Sequence, residues 1–126
     1  MAASADPPSP RHRRSPADAL ADIKEAIEQI QAHLADATPD GFAKDRWAQL
    51  ATQKALENIS EASRHLPPEM KDRHREIPWR QIADFGNIGR HGYFAVKPER
   101  LLQVVRDDLP PLAAAVDAMM AGLQKR

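Results

Sequence analysis

The sequence predicts an all-α protein, a bundle of four or five helices, and three observations support this fold class. Helix-favouring residues such as Ala, Leu, Glu, Lys and Arg are plentiful, whereas aromatic residues make up only 5% of the 126 residues. Apolar residues recur at steps of three and four, which is the period of an α-helix with one buried face. No segment shows the apolar–polar alternation of a strand. A chain of this length is expected to form one hydrophobic core and therefore one domain.

The first helix is predicted to begin at Ser15 and Pro16, a capping serine followed by a proline at the first helical position. Residues 1–15 are rich in Ala, Ser, Pro and Arg and have almost nothing to bury, so we expect a disordered tail there. The helical domain would then cover residues 16–126. The apolar stripe of the first helix consists of Leu20, Ile23, Ile27, Ile30 and Leu34.

The later helices follow from the same periodicity. Residues 38–41 favour a turn or a new helix start, and one long second helix is predicted from Phe42 to Leu66, with Trp47 and Leu50 among its apolar residues. A charged connector at residues 69–76 has room for about one helical turn. A third helix starts at Pro78 and directs Ile82 and Phe85 inward. A helix from Pro98 is expected to be kinked or divided at residues 110–111 before the final helix.

Composition excludes several classes of function. The chain has no cysteine, which removes disulfide and thiolate chemistry, and no apolar run approaches the ~18 residues that a membrane span needs. The five histidines have no spacing typical of metal ligands, and no phosphate-binding glycine loop follows a strand, so no metal and no cofactor are expected. A cytoplasmic protein is the expectation. The net charge is zero, but residues 64–100 carry eight basic against five acidic residues. Such an excess suits a phosphate-bearing ligand, and the alternative, which is the more common case, is a solvated face.

The densest polar chemistry lies in residues 86–94, which contain Asn87, Arg90, His91 and Tyr93. Asn87 and His91 are four residues apart, so on a helix one face would present an amide, a guanidinium and an imidazole together. An imidazole can transfer a proton near neutral pH and a guanidinium can neutralise phosphate oxygens, as phosphodiester cleavage requires. The alternative is a helix end whose Arg and His only cap carbonyls. Four polar residues of the second helix could reach a groove beside His91: Glu57, Asn58, Glu61 and Arg64.

With these residues, the chain resembles the HepT-like members of the HEPN superfamily. The signature of those proteins is an Arg, a few residues, and then His-x-Tyr. His91-Gly92-Tyr93-Phe94 matches the second part of that signature, and the resemblance spans roughly residues 17–123. Further matching blocks occur in the family's order: Asp22-Ile23 with Ala26-Ile27 and Ile30, Ile59-Ser60-Glu61-Ala62, Ile77-Pro78-Trp79-Arg80-Gln81-Ile82 and Asp108-Leu109-Pro110-Pro111-Leu112.

The resemblance implies an HEPN-like helical homodimer that acts as the toxin of a type VII-like toxin–antitoxin system. It implies metal-independent cleavage of RNA by attack of a 2′-hydroxyl on the adjacent phosphate, with His91, Arg90 and Asn87 as the catalytic candidates. It also implies an MntA-like minimal nucleotidyltransferase as antitoxin, which would transfer AMP to Tyr93. The added charge and bulk would then repel RNA.

One position departs from the family pattern. The family's Arg lies five residues before the His, and position 86 of this chain is Gly. Arg90 is the nearest substitute in the motif. The alternative function is therefore a catalytically inactive HEPN binding module that partners a nucleotidyltransferase or binds a nucleotide. A purely structural helical dimer is the third interpretation.

Overall fold

The computed structural model describes residues 15–86 and 97–125, and these residues fold as helices with no strand among them. The all-α prediction is confirmed. Two long helices, α1 (Pro16–His33) and α3 (Arg46–Ser63), pack along each other, and α7 (Leu109–Gln124) also packs against α1. The shorter helices are α2 (Pro39–Lys44), α4 (Pro68–Asp72), α5 (Trp79–Asp84) and α6 (Pro98–Gln103).

The start of α1 agrees with the prediction. Ser15 caps the helix by accepting a hydrogen bond from the Asp18 backbone N–H at 3.0 Å, and Pro16 occupies the first turn. The predicted apolar stripe is buried, including Leu20 and Ile23 at 0% exposure. On the surface, the Lys24 ammonium lies 2.8 Å from the Asp117 carboxylate and joins α1 to α7, and this hydrogen bond and charge raise the pKa of Lys24.

The prediction of one long helix after residue 41 was wrong, because α2 and α3 are separate helices. Asp45 ends α2 and caps α3, accepting a hydrogen bond from the Ala48 N–H at 3.0 Å. The Gln49 side-chain amide donates to the Phe42 carbonyl at 2.9 Å and to the Ala43 carbonyl at 3.1 Å. These side chains satisfy the backbone groups that a continuous helix would have paired, so the chain can break here at little cost.

The helix that begins at Pro98 is divided, but its irregular turn precedes residues 110–111, where the division was predicted. Between α6 and α7 the chain forms a π-helical turn, Val104–Asp108, and Pro110 and Pro111 lie at the start of α7. A proline cannot donate to the carbonyl four residues before it, so the regular ladder must stop at this point. The apolar residues here, Leu101, Leu102, Val104 and Val105, are all buried.

The core lies between α1, α3 and the C-terminal helices, and the first half of α3 stands partly outside it. Trp47 is 80% exposed and Leu50 is 43% exposed, although the sequence pattern places both in the apolar set of this helix. Leu56 and Ile59, in the second half of α3, are fully buried. Within residues 15–86 and 97–125, no helix has the length and apolar character that crossing a bilayer requires.

Candidate functional site

The four residues of the predicted site, Asn87, Arg90, His91 and Tyr93, lie outside the described residues. The structure therefore describes the framework that leads into this segment: α5, the turn at Phe85 and Gly86, and α3 beside them. The description resumes at Lys97, which occupies the N-cap position of α6 without a side-chain hydrogen bond. The position of α5 is what the described residues contribute to the site.

Trp79 fixes the start of α5. Its indole N–H is shared between the Lys71 carbonyl at 3.2 Å and the His74 carbonyl at 3.1 Å, so it ties α5 to the end of α4. The Lys71 ammonium lies 6.0 Å from the centre of the Trp79 ring, and partial burial lowers the pKa of Lys71. Ile82 and Phe85 are buried at 1% and 5% exposure, as predicted, and hold the other face of α5 on the core.

The end of α5 is joined to α3 through one backbone carbonyl. The Ala83 carbonyl oxygen accepts a hydrogen bond from the Ser60 hydroxyl at 2.6 Å and another from the Arg64 guanidinium at 3.0 Å. Ser60 and Arg64 are one helical turn apart and therefore face α5 together. Ser60 is fully buried, whereas the Arg64 side chain reaches this carbonyl from the exposed end of α3.

Gly86 passes so close to α3 that a side chain there would have to displace the Ser60 hydroxyl. A Cβ atom at this position would lie 2.8 Å from the Ser60 hydroxyl oxygen and 3.4 Å from the Ser60 Cβ. The hydroxyl is held in place by its hydrogen bond to the Ala83 carbonyl, and Ser63 donates to the Ser60 carbonyl at 2.8 Å. The departure from the family pattern at position 86 is therefore matched by the packing of Ser60.

The other polar candidates of α3 have different surroundings. Glu61 accepts a hydrogen bond from the His65 ring at 3.3 Å. Asn58 and Glu61 line a cavity of about 350 Å³ between α1 and α3, together with Asp22, Glu25 and Gln29. In the part of the chain that the structure describes, no group of three or more His, Asp or Glu side chains is placed to hold a metal ion.

A second and larger groove lies at the other end of the α1–α3 pair. Its volume is about 680 Å³, and it is lined by the end of α1, by α2 and by the start of α3, with the exposed Trp47 at its edge. Of the described polar candidates, none lines this groove: Glu57, Asn58, Glu61 and Arg64 all lie elsewhere.

Sequence reasoning did not identify the Ser60–Gly86 contact or the shared carbonyl of Ala83. The sequence gives no reason to prefer Arg64 over the three other polar residues that could reach a groove beside His91. A signal was present, because Ser60 and Arg64 are four residues apart and a small polar residue in the buried half of a helix needs a partner. The partner itself, 23 residues away in the chain, has no signature in the sequence.

Comparison with known proteins gives the family. The model of the family described as "Ribonuclease HepT-like" matches residues 23–119. The chain is 40% identical over 100 residues to the protein named "Probable ribonuclease HepT" of Thermococcus cleftensis. The matched region covers 79% of this chain and 91% of that protein. It is 28% identical over 98 residues to a protein of Methanocaldococcus jannaschii named "Putative RNase", covering 78% and 90%.

A longer protein of Methanocaldococcus jannaschii, named "Gamma-glutamylcyclotransferase and putative RNase", is 33% identical over 103 residues. The match covers 82% of this chain and 46% of that protein. No solved structure matches the chain significantly. From the family match and the 40% identity, the chain belongs to the HepT-like ribonuclease family.

Proposed function

We propose that this protein is a metal-independent endoribonuclease and the toxin component of a type VII-like toxin–antitoxin system. The observation that carries the proposal is the match of residues 23–119 to the ribonuclease family, together with the His-x-Tyr motif at residues 91–93. The described framework supports it, because α5 is anchored at both ends and delivers the chain to Asn87 from a fixed position.

In the proposed reaction, the 2′-oxygen of a ribose attacks the neighbouring phosphorus and the bond to the 5′-oxygen breaks. The products are a 2′,3′-cyclic phosphate and a free 5′-hydroxyl, so no water is consumed in this step. His91 assists the transfer of the proton from the 2′-hydroxyl to the leaving oxygen, and Arg90 and Asn87 stabilise the charge on the phosphate oxygens. The protein would act as a homodimer that brings two copies of the motif to one cleft.

Neutralisation is proposed to occur on Tyr93. An MntA-like minimal nucleotidyltransferase would direct the phenol oxygen at the α-phosphorus of a nucleoside triphosphate, attaching AMP and releasing pyrophosphate. The attached phosphate would place negative charge two residues from His91 and repel RNA. After co-expression with such an enzyme, mass spectrometry should find AMP on the wild-type chain and none on Tyr93→Phe. AMP on another residue would contradict this assignment.

Expression in a bacterial host tests the toxin function. The wild-type protein, expressed alone, is expected to slow growth and fragment cellular RNA, whereas His91→Ala should do neither. Light scattering of the purified protein at micromolar concentration is expected to give a dimer. Equal growth and intact RNA with both proteins would contradict the proposal, and a monomer would contradict the shared cleft.

One observation favours a second function, that of a binding module that partners a nucleotidyltransferase without cutting RNA. Gly86 lies where the family carries Arg, and the Ser60 hydroxyl fills the space that a side chain would need. Gly86→Arg should therefore be made together with Ser60→Ala, which removes the obstructing oxygen. Cleavage that appears only in this double variant would favour the binding module for the wild-type chain.

A further inference from the structure

We propose that Arg64 binds an RNA phosphate at the end of α5 and is a substrate-binding residue of the ribonuclease site. This inference rests on the proposed function. The residue is the C-cap of α3, 26 positions before Arg90 in the chain, and lies outside the His-x-Tyr motif.

The guanidinium of Arg64 is held at a defined place. One of its nitrogens donates to the Ala83 carbonyl at 3.0 Å, and this carbonyl lies three residues before Gly86 and four before Asn87. The same carbonyl is fixed by the buried Ser60 hydroxyl at 2.6 Å. A long and otherwise flexible side chain is thereby oriented before any ligand arrives, which lowers the entropy lost on binding.

Toward the residues that the structure describes, most of the hydrogen-bonding capacity of Arg64 remains available. A guanidinium has five N–H donors, and the bond to the Ala83 carbonyl uses one of them. The residue is exposed, so the remaining donors can be reached from solvent. Arginine pairs with phosphate oxygens through two parallel hydrogen bonds, which suits a charged group that presents an open edge.

No carboxylate neutralises this charge within residues 15–86 and 97–125. The ion pairs among the described residues join Lys24 to Asp117, His65 to Glu61 and His74 to Glu76. Glu61 is the acidic residue one turn before Arg64, and its carboxylate contacts His65 instead. A guanidinium that contacts a carbonyl and no acid keeps its full charge for an anionic ligand.

The crowding at Gly86 also favours a binding role for Arg64. A Cβ atom at this position would lie 2.8 Å from the Ser60 hydroxyl oxygen, so a cationic side chain at position 86 would have to displace that hydroxyl from its carbonyl. Arg64, at the end of the neighbouring helix, instead holds its charged guanidinium at the Ala83 carbonyl. A cationic group at the end of α5 is thus provided by Arg64.

Binding of a non-cleavable RNA tests the proposal. The probe is a fluorescein-labelled single-stranded RNA oligonucleotide with 2′-O-methyl riboses, which lacks the attacking hydroxyl, and its anisotropy is measured at several salt concentrations. Arg64→Gln is expected to weaken binding about tenfold at low salt and to reduce the slope of log affinity against log salt by about 0.7. Arg64→Lys, which keeps the charge, should recover most of the slope.

Arg106→Gln is the matched control. Arg106 is also an exposed arginine, and it donates to the Ala37 backbone carbonyl, beside the groove at the other end of the α1–α3 pair. Its substitution removes one charge and one guanidinium–carbonyl contact, but the salt slope and the affinity should stay at the wild-type values.

The outcomes separate the two proposals. If the wild-type protein cleaves unmodified RNA and Arg64→Gln binds the probe with the wild-type affinity and salt slope, the role of Arg64 is wrong and the ribonuclease proposal stands. If Arg64→Gln and Arg106→Gln lose equal affinity, the effect is general charge, and the specific role is again wrong. If the wild-type protein neither binds nor cleaves RNA, both proposals fail together.

Discussion

At the scale of single residues, the contact between Ser60, Ala83 and Gly86 sets the geometry at the entrance to the motif. A hydroxyl of a buried helix residue donates to the last turn of another helix, and a glycine lets the backbone pass beside it. Glycine at position 86 is therefore a packing requirement of this chain as it stands. The arginine of the family pattern would have to displace the Ser60 hydroxyl from the Ala83 carbonyl.

Gly86→Ala tests this contact, with Gly122→Ala as its control. Alanine at position 86 must displace the Ser60 hydroxyl from its carbonyl and should lower the free energy of unfolding by about 1–3 kcal/mol. Gly122 lies in α7 with nothing within 4 Å of an added Cβ, so alanine there should raise stability by about 0.5 kcal/mol. Urea unfolding followed by circular dichroism measures both, and equal effects at the two sites would contradict the contact.

Ser60→Ala extends the same test to a pair. Alone, it removes a buried hydrogen bond and should cost about 1 kcal/mol, since Arg64 still donates to the Ala83 carbonyl. Combined with Gly86→Ala it leaves room for the new methyl group, so the double variant should be more stable than the sum of the single effects predicts, by about 0.5–3 kcal/mol. Strict additivity in the double-mutant cycle would show that the two residues do not touch.

At the scale of helices, the anchoring of α5 explains one of the matching sequence blocks. Trp79 joins α4 to α5 through two carbonyls, and Ile82 turns the other face of α5 to the core. A six-residue helix has little intrinsic stability, so its position depends on these side chains.

Trp79→Phe should therefore matter more than Trp47→Phe. Phenylalanine keeps the ring but loses the N–H that both carbonyls share, and we expect a loss of about 1–2 kcal/mol in the free energy of unfolding. Trp47 is 80% exposed, and the same change there should stay within about 0.5 kcal/mol. Thermal unfolding of the two variants measures the difference, and a larger effect at Trp47 would contradict this account of α5.

Asp45 is the residue that divides the predicted long helix. The sequence pattern continues through it because Phe42, Leu56 and Ile59 lie at helical spacing, and periodicity alone cannot detect a side chain that caps. Asp45→Ala removes the hydrogen bond to the Ala48 N–H and should cost about 1 kcal/mol of stability. Asp36→Ala, which removes an exposed carboxylate from the turn after α1, is the control and should change stability little. Equal stability of the two variants would refute the capping role.

At the scale of the whole molecule, composition and periodicity were sufficient for the fold class and for most of the core. Leu20, Ile23, Leu101 and Val116 could be assigned to the interior because they recur at helical spacing on faces that carry few charges. The division of α2 from α3, the exposure of Trp47 and the contact of α3 with α5 could not be predicted. They depend on side chains that meet across long stretches of chain.

The candidate site, like the fold, could be predicted from the sequence only in part. The motif at residues 87–93 and the family were accessible from the sequence, since both are properties of residue identity and order. The part played by Arg64 required the structure, because the carbonyl that orients it belongs to another helix. The proposed site therefore combines a motif that the sequence identifies with a guanidinium that the fold positions.

The most direct test of the central claim is cleavage of a labelled RNA by the purified protein in EDTA, with the products analysed for a terminal 2′,3′-cyclic phosphate. The wild-type protein is expected to give cyclic-phosphate products, and His91→Ala should reduce the rate by about 10²–10⁴-fold. Cleavage that needs an added metal ion, or that proceeds at the wild-type rate without the His91 imidazole, would contradict the account.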